Sequence, residues 1–255
     1  MTNLEISVFL CRKDNVGVLV HTEDGTTLSI DAPDADQIIN TLNTKGWTLS
    51  HILTTHHHND HTAGNLELKQ KTKCKIIGPA LEATRIPGLD ISVQDNESIS
   101  LGGHAIKVIA TPGHTIGHLT YWMPEDKCAF VGDTLFVMGC GKVLEGTHEM
   151  MWHTLSRIAS LPPETLLYCG HEYTIANARF GLTIEPKNTL IRKRLEEAEE
   201  IIGKGGLTVP TSLERELETN VFLRPHIVAT RTELGMGAVA DWRVFGEIRN
   251  RKNKT

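Results

Sequence analysis

The chain has 255 residues, 40% of them hydrophobic, with 26 basic and 31 acidic side chains and a formal charge of −5. Its length is roughly 1.7 times a 150-residue domain and predicts one large domain with a smaller appendage. The composition excludes a disordered chain, and the acidic balance argues against a nucleic-acid partner. Apolar runs such as Cys128-Ala129-Phe130-Val131 are far shorter than the ~20 residues that cross a bilayer. The opening Met1-Thr2-Asn3-Leu4-Glu5 has no basic and apolar leader pattern, so no membrane association and a cytoplasmic location are expected. A monomer is also expected. Five scattered cysteines without a CxxC pair read as free, packed thiols.

Short runs rich in Val, Ile, Leu or Thr predict strands at 18–22, 27–31, 50–54, 75–78, 104–110, 119–123, 128–131 and 165–169. Helical spacing falls between them at 34–42, where Asp34 is the candidate cap, at 63–71, and at 149–160, which Pro162-Pro163 closes. Such a mixture predicts an α/β layered fold for residues 1–175. After Tyr173 the composition shifts. Leu190, Ile191, Leu195, Ala198, Ile201 and Ile202 mark an amphipathic helix stopped by Gly203-Lys204-Gly205-Gly206, and further helices are predicted at 212–219 and about 239–250. Residues 176–255 are therefore expected to form a smaller, helical domain.

Four of the 13 histidines lie between 56 and 61, in Thr55-His56-His57-His58-Asn59-Asp60-His61, directly after an apolar strand candidate. Burying so many imidazoles beside a carboxylate is costly without compensation, which a metal ion supplies. In extended backbone His56 and His58 project to one side and His57 to the other; Asp60 and His61 can face a different ion. Three more apolar strands each end in glycine followed by a potential ligand: Thr111-Pro112-Gly113-His114, Gly132-Asp133 and Gly170-His171. His57 is expected to face away from the ions and hydrogen-bond locally, and His118 to sit in a loop beside Gly117; both stay outside the ligand set.

This pattern resembles the metallo-β-lactamase superfamily, whose fingerprint is HxHxDH followed by a distant His, Asp and His. The resemblance implies an αββα sandwich with two metal ions at one edge. On the matching positions, His56, His58 and His114 would hold the first ion, Asp60, His61 and His171 the second, and Asp133 would bridge them. Imidazole and carboxylate donors without cysteine suit zinc, and also iron or manganese. Two such ions make hydroxide available near neutral pH and polarise the attacked carbonyl, which is hydrolytic chemistry.

A second resemblance is narrower. Gly132-Asp133-Thr134-Leu135-Phe136, Gly139-Cys140-Gly141-Lys142, Glu145-Gly146-Thr147 and His171-Glu172-Tyr173-Thr174 are similar to the GDTLF, GCG(K/R), EGT and HEYT segments of the glyoxalase II family, the hydroxyacylglutathione hydrolases. It implies that Lys142, Tyr173, Arg249 and Lys252 hold glutathione, with Asp60 and Asp133 acting through a metal-bound hydroxide. The implied reaction is hydrolysis of S-D-lactoylglutathione to glutathione and D-lactate, the second step of methylglyoxal detoxification. Residues 243–255 set five basic side chains against Glu247 alone, which suits a substrate that carries carboxylates. Leu144, Asn253 and Thr255 depart from the family pattern, and Leu144 removes a hydroxyl donor. The alternatives are a persulfide dioxygenase using one iron, another hydrolase of this fold acting on lactones, lactams or other thioesters, and a non-catalytic binding module.

Overall fold

The computed structural model describes residues 4–255. By its internal contacts the chain divides into two compact units, Met1–Ala110 with Gly117–Gly132, and Thr111–Ile116 with Asp133–Thr255.

In the first unit, β1 (Leu4–Cys11), β2 (Asn15–Thr22) and β3 (Thr27–Ile30) form an antiparallel meander. The same sheet continues in parallel through β4 (His51–Leu53), β5 (Lys75–Pro79) and β6 (Ile91–Val93). The change to parallel pairing follows from helical crossovers: α1 (Ala35–Lys45) joins β3 to β4, and α2 (Asn59–Thr62) with α3 (Asn65–Thr72) joins β4 to β5. Asp34 caps α1 as expected, its carboxylate accepting the Gln37 N–H at 3.0 Å, and Gly46 ends the helix at φ +69°.

One face of this sheet buries Leu19, Ile52 and Ile76 against Ile38 and Leu42 of α1 and Leu68 of α3. Strand alternation turns Val18, Val20, Leu28, Leu53 and Ile77 to the opposite face, and all five are buried. A second meander, β7 (Ser98–Leu101), β8 (His104–Ala110), β9 (Leu119–Met123) and β10 (Cys128–Gly132), lies there. Tyr121 of β9 is fully buried and donates its hydroxyl to the Thr54 carbonyl at 2.7 Å, while Leu119 N–H donates to the Thr55 carbonyl at 2.9 Å. Because β8 and β10 both flank β9 antiparallel, the segments after Ala110 and Gly132 leave from one edge.

The second unit contains the small hairpin β11 (Leu135–Phe136) and β12 (Gly139–Cys140), then α4 (His148–Ala159), β13 (Leu166–Cys169), α5 (Thr174–Ile184), α6 (Thr189–Gly203), β14 (Thr211–Ser212), α7 (Leu213–Thr219), α8 (Val228–Leu234) and α9 (Asp241–Lys252). Strands β13 and β14 pair antiparallel. Thr147 caps α4 through the Met150 N–H at 3.1 Å. Phe180, Phe222 and Phe245 stand in ring contact between the helices, and Trp152 of α4 meets Phe245 of α9 at 6.2 Å.

The eight expected strands and the expected helices are present with end shifts of a few residues. Strands β1, β6, β7, β11, β12 and β14 and helices α2, α5 and α8 were not anticipated. All five cysteines are free and buried, as expected. Among the described residues no helix is long and apolar enough to cross a membrane.

Candidate metal centre and its surroundings

In the first unit the ligand-type residues follow β4. Asp31, just past β3 at φ +58°, organises them. Its Oδ1 accepts the Thr55 N–H at 2.6 Å, and its Oδ2 accepts the Thr55 hydroxyl and the His61 Nδ1–H, both at 2.8 Å. The Thr55 hydroxyl, having given its hydrogen to Asp31, accepts from His56 Nδ1 at 3.0 Å. With Nδ1–H so engaged, His56 and His61 carry their lone pairs on Nε2, the tautomer that a metal ligand needs. His56 Nε2 lies 3.0 Å from His58 Nδ1, and His61 Nε2 lies 3.8 Å from Asp60 Oδ2. Asn15 of β2 holds Asp60 through its backbone carbonyl at 3.1 Å and Oδ2 at 3.3 Å.

The partner of His57 is not local as expected: Glu82, 25 positions on, accepts from both its backbone N–H and its ring Nδ1 at 2.7 Å. The same buried carboxylate accepts the Gly117 N–H at 2.9 Å. His118 is fully buried in a loop and stacks on His56 with centroids 4.9 Å apart. Asp31, Asn15 and Glu82 were missed at the level of sequence. Only Asp31 carried a signal there, as an aspartate closing an apolar strand.

In the second unit, Asp133 Oδ2 lies 3.5 Å from His114 Nε2 and 3.5 Å from His171 Nε2. One carboxylate oxygen thus faces two imidazole nitrogens from segments 57 residues apart in sequence. His114 Nδ1 donates to the Lys142 carbonyl at 2.8 Å, which again leaves Nε2 as the donor towards a metal. Glycines on either side of the aspartate are required by space. A Cβ at Gly132, itself at φ +47°, would lie 2.7 Å from His118 Nε2 and Thr55 Oγ1, and one at Gly141 would lie 1.9 Å from the Asp133 carbonyl oxygen. Imidazole lone pairs oriented by Nδ1 partners, with carboxylates beside them, fit a borderline divalent cation. Among the described residues, these His/Asp clusters could hold metal ions.

The residues expected to hold glutathione belong to the second unit. Lys142 is exposed, directly after the β11–β12 hairpin. Tyr173 stacks on His171, with centroids 4.9 Å apart and planes at 5°, and meets the Phe136 ring at 5.3 Å. Helix α9 runs to Lys252, so Arg249 and Lys252 share one face. Arg249 is only 6% exposed; its Nη1 donates to the Cys140 carbonyl at 2.9 Å, and its guanidinium lies 5.1 Å from the Phe222 ring centroid. Lys252 donates to the Ala176 carbonyl at 3.1 Å, and burial together with the nearby Arg249 charge holds its ammonium below the usual lysine range. Burial pushes the Cys140 thiol up to about 11 in spite of Arg249 beside it.

Residues 18–171 match the metallo-beta-lactamase superfamily, and residues 172–255 match the hydroxyacylglutathione hydrolase C-terminus. The B3 metallo-beta-lactamase BLEG-1 superposes with a TM-score of 0.65 at 19% identity, covering 87% of this chain and 99% of its own, a likeness of fold. TTHA1623, solved in a di-iron-bound form, superposes with a TM-score of 0.61 at 22% identity over 86% of this chain and all of its own. Fold and donor clusters define a hydrolase of the metallo-β-lactamase fold with a helical C-terminal region. The hydroxyacylglutathione hydrolase of Rhizobium meliloti strain 1021 is 49% identical over 254 residues, 99% of each chain. This chain belongs to the hydroxyacylglutathione hydrolase family, glyoxalase II.

Proposed function

We propose that the chain hydrolyses S-D-lactoylglutathione to glutathione and D-lactate, as the second step of methylglyoxal detoxification. In this reading His56, His58 and His114 would hold one divalent ion and Asp60, His61 and His171 a second, and Asp133 would serve both. Zinc is the first choice; iron and manganese suit the same donors. When bound, the ions supply a water nucleophile near neutral pH and polarise the thioester carbonyl.

The chain's own residues supply the rest. Asp31, Thr55 and the Lys142 carbonyl fix the imidazole tautomers and ring orientations, and Asn15 orients Asp60. Lys142, Tyr173, Arg249 and Lys252 hold the glutathione portion, the cations against its carboxylates. Its thiolate is a good leaving group, so no dedicated general acid is required. Residues 1–175 are the catalytic domain of this reading and 176–255 the substrate-binding domain. The protein is read as a cytoplasmic monomer acting on a small molecule.

The observation that carries the proposal is Asp133 Oδ2 standing 3.5 Å from both His114 Nε2 and His171 Nε2. It is tested by measuring hydrolysis of S-D-lactoylglutathione beside a lactam and a lactone, with metal content determined on the same sample. The thioester is expected to be cleaved fastest, with two ions per chain. Faster cleavage of the lactam or lactone, or less than one ion per chain without chelator, would overturn it.

A further inference from the structure

The β11–β12 hairpin contains only two residue pairs, Leu135 with Cys140 and Phe136 with Gly139. That is too little ladder to hold a strand pair in place unaided. Its turn also places Met138 at φ +58°, a conformation that a side chain other than glycine adopts at a cost. Yet this hairpin starts two residues after Asp133 and ends two residues before Lys142.

Side chains from far along the chain bind its peptide groups one after another. Asn220 Nδ2 donates to the Phe136 carbonyl at 3.3 Å and the Gly139 carbonyl at 2.9 Å. Asn177 Nδ2 donates to the Val137 carbonyl at 3.2 Å. The Met138 N–H donates to Glu216 Oε2 at 2.8 Å, and Arg249 takes the Cys140 carbonyl. Glu216 is fully buried. Arg194 Nη1 lies 2.7 Å from its Oε1, and the same arginine is pinned by Thr219 at 2.7 Å and Thr211 at 3.0 Å. Asn220 in turn donates to Glu216 Oε2 at 3.0 Å. On its other side the hairpin presents Phe136 to Tyr173 and His171.

We propose that Asn177, Glu216 and Asn220 are positioning residues for substrate recognition: by holding the peptide groups of the 135–140 hairpin they set the place of Lys142 and Tyr173, and so the KM for the glutathione portion of the substrate. None of the three touches substrate. Asn220 makes two of the five hairpin contacts and is the residue whose loss frees the turn most, whereas Glu216→Gln keeps a carbonyl oxygen to accept the Met138 N–H while leaving Arg194 without its counter-charge. A positioning role therefore separates KM from stability: Asn220→Ala moves KM, and Glu216→Gln mainly lowers Tm.

The proposal rests on residues 142 and 173 contacting glutathione, so the test has two arms. Steady-state kinetics compare S-D-lactoylglutathione with S-D-lactoyl-N-acetylcysteamine, a thioester without the γ-glutamyl and glycyl groups. Asn220→Ala is expected to raise KM for the first about tenfold and for the second less than about twofold, while Glu216→Gln raises neither by more than about threefold. Amide hydrogen exchange of the 134–142 peptide is measured on the same proteins, and is expected to quicken about tenfold in Asn220→Ala with the α6 peptide unchanged. If Asn220→Ala does not fold, Asn177→Ala, which removes one hairpin contact, carries the same expectation at smaller size. Equal KM changes for both thioesters, KM changes that follow Tm across the variants, or unchanged exchange at 134–142 would overturn the proposal. If wild type cleaves neither thioester, the functional reading fails, and the exchange arm alone decides whether these side chains hold the hairpin.

Discussion

If Lys252 holds the substrate as proposed, its environment sets a pH dependence of binding. Its ammonium is partly desolvated and lies near Arg249, and both effects lower its pKa from 10.5. Below the lowered pKa the side chain is charged and able to pair with a substrate carboxylate; as pH rises through it, that attraction is lost. KM for S-D-lactoylglutathione is therefore expected to climb at alkaline pH with a midpoint below 10.5. Lys252→Ala should start from a higher KM and lack this limb. Lys252→Arg should restore the low KM and keep it to higher pH, because guanidinium stays protonated. A limb that persists in Lys252→Ala would assign the titration elsewhere. For stability the sign is opposite: the folded state binds this proton less tightly than the unfolded chain, so the cost of the buried charge is present at neutral pH and fades as pH rises. At this scale the sequence displayed the ligand-type residues because each follows an apolar strand and a turn. The residues that hold them were hidden. Asn15, Glu82 and Asp31 act on the 55–61 segment from 24 to 45 positions away, and one-dimensional spacing carries no trace of such contacts.

Elements were legible where local chemistry agreed with tertiary packing. Helix α1 has an Asp cap, an apolar stripe through Ala35, Ile38 and Leu42, and glycine at its end. Its cap makes a clean test, since Asp34 lies outside the set of proposed ligands and substrate contacts. Asp34→Ala is expected to cost about 1 kcal/mol and lower Tm by about 2–4 °C with kcat unchanged, read by thermal unfolding beside an activity assay. Helix α5 shows the opposite case. It buries Thr174, Asn177, Ala178, Phe180, Gly181 and Ile184, so polar and small residues sit on its inner face and blur the 3.6-residue stripe. Strand β1 is exposed or half-buried along most of its length and lacks the alternation that marks a one-sided strand. The β11–β12 hairpin is legible only as a motif; its strands exist because Asn177, Glu216, Asn220 and Arg249 bind its peptide groups.

For the whole molecule, the place where composition changes and the place where contacts divide are different. Composition turns helical near residue 176, and the two family matches meet at 171 and 172. The compact units separate instead at Gly132 and Asp133. The side-chain bonds from Asn177, Glu216, Asn220 and Arg249 to residues 136–140 explain why the hairpin counts with the helices that follow it. If the proposed ligands hold metal ions, those ions should be visible in the stability of the fold. His56 and His61 are buried in the first unit and His114, Asp133 and His171 in the second, and a bound cation would offset the cost of holding their lone pairs and carboxylate charge in low dielectric. Ions bound to the folded state alone stabilise it by RT ln(1 + [L]/Kd), about 4 kcal/mol at a thousandfold excess over Kd. At about 2–4 °C per kcal/mol for a chain of this size, chelation is expected to lower Tm by roughly 10 °C. It should also abolish thioester hydrolysis, with both recovered when zinc is restored. A chelated sample shown to hold less than a tenth of an ion per chain, yet melting at the original temperature, would show that the proposed ligands are not a metal centre.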